Sequence, residues 1–207
     1  MILGIDTASP VVGAAVVGPG IERVWSQRVI RGADGVLIPA IAEMLEGVGP
    51  IDAVAVSVGP GAFTGLRVGV ATALGFAVAH RVDVVCVSSL EARAALVQAP
   101  VILALLDARK GRVYGQSFDT RGSSPVALDL AQDALLGQVI PSGPFVAIGE
   151  GADLFQDAIL AADGTIDVDA TRSPAVAVAR LGQFGRAVPP NEVALTYLRD
   201  ADAKKPK

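Results

Sequence analysis

The sequence predicts an α/β fold that contains a mixed β-sheet. Three candidate strands open the chain: residues 2–5 and 11–17 form a hairpin, and residues 22–29 extend it. Helix and strand signals then alternate up to residue 97. The composition agrees, because 52% of the 207 residues are hydrophobic and only 18% are charged. Such a chain can bury a large core, which excludes intrinsic disorder.

Each element after the opening strands has a local signal. Residues 35–46 are predicted to be an amphipathic helix, with Pro39 tolerated in its first turn. Residues 51–58 form a buried strand that ends at a Gly-Pro-Gly turn, and residues 64–80 form a long helix with Thr64 as its N-cap. The apolar positions of the first helix follow the i, i+3, i+4 spacing: Leu37, Ile38, Ile41, Ala42 and Leu45.

A further strand and helix complete the first half. Residues 82–87 read as a buried strand, and Ser88 lies three residues before Glu91, which is the spacing of a capping box. That pair predicts a helix that runs to about residue 97.

The second half is less regular. It contains a predicted hairpin, one short strand and two helices, at residues 101–107 with 112–118, 145–148, 151–161 and 173–186. The segments ILGIDTA (2–8) and LALLDAR (103–109) both place an Asp at the end of an apolar run, which favours two lobes that begin alike. Chance is the competing explanation, because strands often end at Asp. We expect an N-terminal lobe at 1–100 and a C-terminal lobe at 101–207, with a disordered tail at 201–207.

Charge and hydropathy exclude several classes of protein. With 17 Lys and Arg against 21 Asp and Glu the net charge is -4, so a self-sufficient RNA binder is disfavoured. The longest uncharged stretch, residues 134–149, contains two prolines and is shorter than the roughly 20 apolar residues of a membrane span. We therefore predict a soluble protein, and the start of the chain does not resemble a secretory signal.

The few reactive side chains narrow the chemistry. One cysteine, Cys86, excludes an internal disulfide framework and every multi-cysteine zinc site, and one histidine, His80, excludes a paired-histidine metal site. Within the sequence VVCV, Cys86 is predicted to be a buried small hydrophobe.

The segment GPGAFTGLRVG, residues 59–69, joins a buried strand to a helix N-terminus. Free backbone N–H groups there favour anions, but the segment matches neither the dinucleotide fingerprint nor the P-loop. The alternative is a tight turn followed by a packing helix. If one row of small residues on that helix faces the sheet, the other is left for a subunit interface, and packing of both rows inside the monomer is the competing interpretation. The two rows are Gly69, Ala73 and Ala77, and Ala71, Gly75 and Ala79.

Asp6 and Asp107 end comparable strands. Facing aspartates between two lobes could hold a hydrated Mg²⁺ for phosphoryl chemistry, and two turn-capping aspartates are the competing interpretation. The neighbouring Arg109 and Lys110 are interpreted as a solvated turn.

These motifs resemble the TsaB (YeaZ) family of bacterial tRNA-modification proteins. The resemblance rests on ILGIDTAS at 2–9, GPGAFTGLRVGVATALGFA at 59–77, SSLEA at 88–92, DARKGRVY at 107–114 and LTYLRDADA at 195–203. It implies an actin/Hsp70-like ATPase (ribonuclease H-like) fold of two lobes, each with a mixed sheet and flanking helices. The first helix departs from the family pattern, since it lacks the His that often precedes Leu37-Ile38-Pro39.

The resemblance also implies a function. The chain would be a non-catalytic, cytoplasmic companion of TsaD, which makes threonylcarbamoyladenosine (t6A) at adenosine 37 of tRNAs that read codons beginning with A. TsaE joins the assembly, tRNA binds only through the complex, and the chain alone forms a homodimer. No cofactor is required by this chain, and ATP or ADP with Mg²⁺ acts in the complex.

Two sets of site residues follow from the resemblance and the helix pattern. The partner interface is expected on the first two helices, at Leu37, Ile41, Leu45, Thr64, Leu66, Arg67, Gly69, Val70, Ala73 and Ala77. Substituting Gly69 or Ala73 by Trp is expected to break the complex and leave the monomer folded. The alternative function is an ATPase or small-molecule kinase, with Asp6 and Thr7 near phosphates and Asp107 near Mg²⁺.

Overall fold

Two mixed β-sheets carry the fold in the computed structural model, which describes residues 1–30, 32–119, 128–131, 139–167 and 173–198. The first sheet has the strand order β11-β5-β4-β1-β2-β3. Its strands are β1 (Ile2–Asp6), β2 (Val11–Gly18), β3 (Ile21–Arg28), β4 (Ala53–Gly59), β5 (Asp83–Ser88) and β11 (Ala187–Val188). The first five lie within two residues of their predicted ranges, so the opening meander and the alternation are confirmed.

The second sheet repeats the arrangement of the first. Its order is β10-β9-β6-β7-β8. The strands are β6 (Val101–Arg109), β7 (Arg112–Asp119), β8 (Leu128–Ala131), β9 (Phe145–Ile148) and β10 (Gly164–Ile166). As β1 pairs antiparallel with β2 and parallel with β4, so β6 pairs antiparallel with β7 and parallel with β9. The internal echo is therefore a structural repeat, and the two-lobed α/β fold is confirmed.

Helices cover both faces of the first sheet. Two of them, α1 (Ala33–Leu45) and α2 (Phe63–His80), share one hydrophobic cluster with β1, β2 and β4 and contact each other. On the opposite face lie α3 (Ser89–Ala94) and α5 (Pro174–Gly182), which pack together, and a short helix, α4 (Gln156–Ala161), contacts the second sheet at β10. Alternate residues of β1 explain this layering, because Leu3 and Ile5 face the α1 and α2 side and Ile2 faces α5.

The chain returns to the first sheet near its end. The predicted lobe boundary at residues 100 and 101 falls between α3 and β6. After residue 173, however, α5 packs on β1, β2 and β4, and β11 pairs with β5. Residues 174–188 therefore belong with the first sheet. The tail at 201–207 lies outside the described residues.

Several local predictions are corrected. Thr64 is not an N-cap, since α2 begins at Phe63 after Ala62 and no side chain caps it. The capping box is confirmed, because the Ser88 hydroxyl accepts a hydrogen bond from the Glu91 N–H, but α3 ends at Ala94. Cys86 is exposed, and the prediction that it is buried is wrong. Strands β8, β10 and β11 have two to four residues each, too few for a periodic signal.

Helix α2 is strongly apolar in composition. Its 18 residues have a mean hydropathy of 1.3, and it is the one helix among the described residues that length and composition alone would allow to cross a membrane. Its inner face packs on the first sheet, with Leu66 and Ala73 completely buried. The core helix of a soluble protein can meet the same criteria of length and hydropathy. Helix α2 is packed like a core helix on its inner side, and its other side is exposed.

Candidate functional site

A cleft with a volume of about 1020 Å³ lies between the two lobes of the described structure. The first lobe contributes the β1–β2 turn at Ser9 and the loop from β4 to α2, in which the Gly59-Pro60 peptide is cis. The second lobe contributes the end of β6, at Asp107 and Arg109. The described C-terminal residues close one side through Tyr197.

The three predicted nucleotide-site residues do not share this cleft. Asp107 is exposed at the cleft wall, and one of its oxygens accepts a hydrogen bond of 2.6 Å from the Arg109 N–H. Asp6 and Thr7 are completely buried and do not line the cleft. The Thr7 hydroxyl donates a 2.8 Å hydrogen bond to the carbonyl of Gly65. Only one of the three side chains is therefore open to a ligand.

Asp6 is held by neighbours that the sequence analysis missed. One carboxylate oxygen accepts a hydrogen bond from the Ser57 hydroxyl, and the other lies 3.3 Å from Nη2 of Arg93. Arg93 is itself 1% exposed and also contacts the carboxylate of Glu150, at 3.0 and 3.2 Å. The position of Arg93 between the apolar Ala92 and Ala94 was the one available signal, and charged residues at such positions are usually solvated.

The electrostatics of this group follow from its burial. Burial opposes the charge of Arg93, but the two carboxylates outweigh that effect and raise the pKa of Arg93 above its ordinary value. Burial would also raise the pKa of Glu150, yet the guanidinium and a hydrogen bond from Ser9 hold it at about 2. Both groups are therefore charged at neutral pH.

Most residues of the predicted partner interface point inward on α1 and α2 and are not accessible to a partner. Seven of its ten residues are buried in the protein's own core, and Leu45 is half-buried: the seven are Leu37, Ile41, Leu66, Gly69, Val70, Ala73 and Ala77. The row of Gly69, Ala73 and Ala77 is thus the one that faces the sheet and the end of β1. A Trp at Gly69 or Ala73 would disrupt the monomer, so the expectation that these variants stay folded is corrected.

The outer row of α2 is exposed. Arg67, Ala71 and Gly75 follow each other at spacings of four residues, and a Cβ built on Gly75 would have no neighbour within 4 Å. Two large apolar side chains are exposed on the same pair of helices, since Val78 is 67% exposed on α2 and Ile38 is 57% exposed on α1. We call these five residues the outer face; it is small and apolar except for Arg67.

Arg67 is fixed in place at one end of the outer face. Its guanidinium carbon lies 3.8 Å from the centre of the Phe63 ring, and its Nε donates a 3.3 Å hydrogen bond to the Tyr197 hydroxyl. The two rings are themselves 5.2 Å apart. The described C-terminal segment is anchored here as well, because the Thr196 N–H donates to the carbonyl of Val58 at 2.7 Å. Arg67 is the one predicted interface residue that the structure presents as an ordered, exposed charge.

The part of the chain that the structure describes contains no cluster of side chains suited to bind a metal ion. Among those residues, no group of three or more His, Cys, Asp or Glu side chains is placed to hold a metal ion.

At the Arg109-Lys110 turn, both residues have positive φ angles, of 63° and 56°, and the turn borders a smaller pocket with Asp107 and Phe155.

The sequence of this chain is similar to a family model and to several known proteins. A family model described as TsaD, tRNA N6-adenosine threonylcarbamoyltransferase, matches residues 33–163. The tRNA threonylcarbamoyladenosine biosynthesis protein TsaB of Escherichia coli is 25% identical over 99% of this chain and 96% of its own length. The Haemophilus influenzae protein of the same name is 33% identical over 55% of this chain, and that match spans about half (51%) of the relative.

Further matches cover nearly the whole chain. An uncharacterized protein of Mycobacterium bovis is 31% identical over 98% of this chain and 93% of its own length. Among solved structures, YeaZ from Pseudomonas aeruginosa superposes with a TM-score of 0.80 at 24% identity, covering 95% of this chain and 99% of the other. That similarity shows the shared fold.

Proposed function

This chain belongs to the TsaB (YeaZ) family, whose work is t6A biosynthesis in tRNA, and on that premise we propose that it is a non-catalytic scaffold subunit that binds TsaD. In this role it supports transfer of the threonylcarbamoyl group to adenosine 37 of tRNAs that read codons beginning with A. TsaE joins the same assembly.

The observation that carries this proposal is the outer face of α1 and α2. Ala71 and Gly75 have almost no side chain, so a partner helix can approach the backbone of α2 closely. Val78 and Ile38 supply apolar surface that a partner would remove from water. Arg67, ordered by Phe63 and Tyr197, would bind at little cost in side-chain entropy.

Catalysis by this chain alone finds less support. The alternative function, an ATPase or small-molecule kinase, needs Asp6 and Thr7 open to phosphates, but both are completely buried and hydrogen bonded within the chain. The chain also has one histidine and one cysteine, so a paired-histidine metal site cannot form.

The proposal also covers the cofactors, the tRNA contacts and the cellular location of this chain. The chain itself requires no cofactor, and ATP or ADP with Mg²⁺ acts in the assembled complex. Its net charge of -4 leaves most of the tRNA contact to basic surface on the partners. We place the protein in the cytoplasm, where tRNA is modified. Without TsaD, the same outer face pairs two copies of this chain.

The test is association with TsaD from the same organism, measured by size-exclusion chromatography with light scattering. Ala71→Trp fills the outer face, and Ala161→Trp is the matched control because Ala161 is an exposed helical alanine on α4. We expect wild type and the control to form a heterodimer, and Ala71→Trp to lose at least tenfold in affinity with an unchanged Tm. Equal binding by all three proteins would overturn the assigned face.

A further inference from the structure

One buried cation joins the two lobes. Arg93 projects from α3, and its Nη2 lies 3.3 Å from Asp6 at the end of β1 and 3.2 Å from Glu150 after β9. Its Nε lies 3.0 Å from the second oxygen of Glu150, and its Nη1 donates 2.9 Å to the carbonyl of Ser89. Asp6 belongs to the first sheet and Glu150 follows a strand of the second, so a single guanidinium bridges both.

The fold holds each carboxylate toward Arg93. Ser57 on the neighbouring strand β4 donates to the other oxygen of Asp6. Gly149 has a φ of +104°, and a Cβ there would lie 2.2 Å from the carbonyl oxygen of Leu105. The N–H of Gly151 donates to that same oxygen at 3.1 Å. The loop carrying Glu150 is thus fastened to β6.

The ligand that the fold implies does not fit these residues. The actin/Hsp70-like ATPase fold implies a nucleotide with Mg²⁺ between the lobes, and such a metal needs oxygen ligands open to it. Here both oxygens of Asp6 are engaged within the chain, the residue has no exposed surface, and Thr7 is equally buried. The positive charge beside Asp6 comes instead from Arg93.

We propose that Arg93, Asp6 and Glu150 form an internal clasp that holds the lobes together in place of a bound nucleotide and cation. Removing the guanidinium leaves two carboxylates facing each other with no countercharge, one of them fully buried, which is far costlier than losing an exposed pair. The lobes of this chain therefore keep one arrangement whether or not nucleotide is present. This inference concerns the chain alone and does not depend on binding to TsaD.

Hydrogen exchange of peptides covering residues 5–9 and 147–152 tests the clasp. In the native protein, Mg²⁺ with ATP or ADP, and EDTA, should leave exchange unchanged. Arg93→Met should speed exchange in both peptides at least tenfold and lower the Tm, and Glu150→Gln should have a smaller effect in the same direction. Arg180→Met is the control, because the Arg180 pair with Glu22 is exposed on both sides.

Two results of the exchange experiment would overturn the clasp. Slower exchange of the native peptides with Mg²⁺ and nucleotide would show that a ligand holds the lobes, and would overturn the proposal. Native-like exchange in Arg93→Met would overturn it as well. If Arg93→Met does not fold, Glu150→Gln and the nucleotide titration of the native protein decide the question.

Discussion

Gly69 of α2 lies so close to Thr7 that a Cβ built on Gly69 would stand 2.2 Å from the Thr7 hydroxyl oxygen. Thr7 is completely buried and donates its hydroxyl to the carbonyl of Gly65. This contact fastens α2 to the end of β1 and fixes which way the helix is turned. The row of Gly69, Ala73 and Ala77 therefore faces the core, and the outer row of Arg67, Ala71 and Gly75 is exposed.

Gly69→Ala is expected to destabilise the protein by about 1–3 kcal/mol, because overpacking at this contact must displace Thr7 or move the helix. Denaturant unfolding monitored by circular dichroism measures the change. An unchanged midpoint would mean that Thr7 can give way at no cost.

Gly75→Ala is expected to stabilise the protein. The position is open, and alanine is favoured over glycine inside a helix by roughly 1 kcal/mol. The same unfolding measurement should show a higher midpoint at an unchanged slope. A loss of stability would indicate that α2 is packed on both sides even in the free chain.

Glu150 should make the free energy of unfolding depend on pH in the acidic range. Arg93 lowers the pKa of Glu150 from 4.5 to about 2, so the stabilisation is present above pH 4.5 and is lost as the pH falls toward 2. The shift corresponds to at most about 3 kcal/mol at neutral pH. Unfolding of wild type and Glu150→Gln at pH 7 and pH 3 checks this: the gap between the two proteins should narrow at the lower pH.

Ser88→Ala should cost about 1 kcal/mol, because the Ser88 hydroxyl caps the first turn of α3 through the Glu91 N–H. Ser88→Asp is the control, since Asp also caps helices and should keep most of the stability. Equal losses in both variants would remove the cap as the cause.

Cys86 should react with a thiol reagent in the folded protein, since it is exposed. Partial desolvation of the thiol by its neighbours raises its pKa even though the residue is exposed, and a hydrogen bond with the backbone of Ala194 acts against that shift. We therefore expect one thiol per chain to be labelled at neutral pH, more slowly than glutathione. Labelling that requires denaturant would contradict the exposed position.

The sequence was sufficient for most of the framework. Long strands with β-branched residues, the Ser88 cap and the strand end at Asp6 are local signals, and each appears where predicted. The second strand of the repeat, β6, continues past Asp107 to Arg109. Short strands such as β10 form because the sheet supplies their partners, so three residues alone could not reveal them.

The site was harder to predict for a geometric reason. Two rows of small residues on α2 look alike in the sequence, and the row that faces inward is the one whose Gly69 lies against Thr7. Arg93 and Glu150 are 57 residues apart, and their pairing depends on how two lobes meet. Such long-range contacts leave no periodic trace.

Formation of t6A in a reconstituted mixture of TsaD, TsaE, tRNA, this chain, ATP with Mg²⁺ and the donor threonylcarbamoyl-adenylate, which transfers its threonylcarbamoyl group and releases AMP, tests the scaffold role most directly. Wild type and Ala161→Trp should support modification, and Ala71→Trp should reduce it to the level seen when this chain is omitted. Full modification with Ala71→Trp, or with no chain added, would contradict the claim that the outer face of α2 supports TsaD.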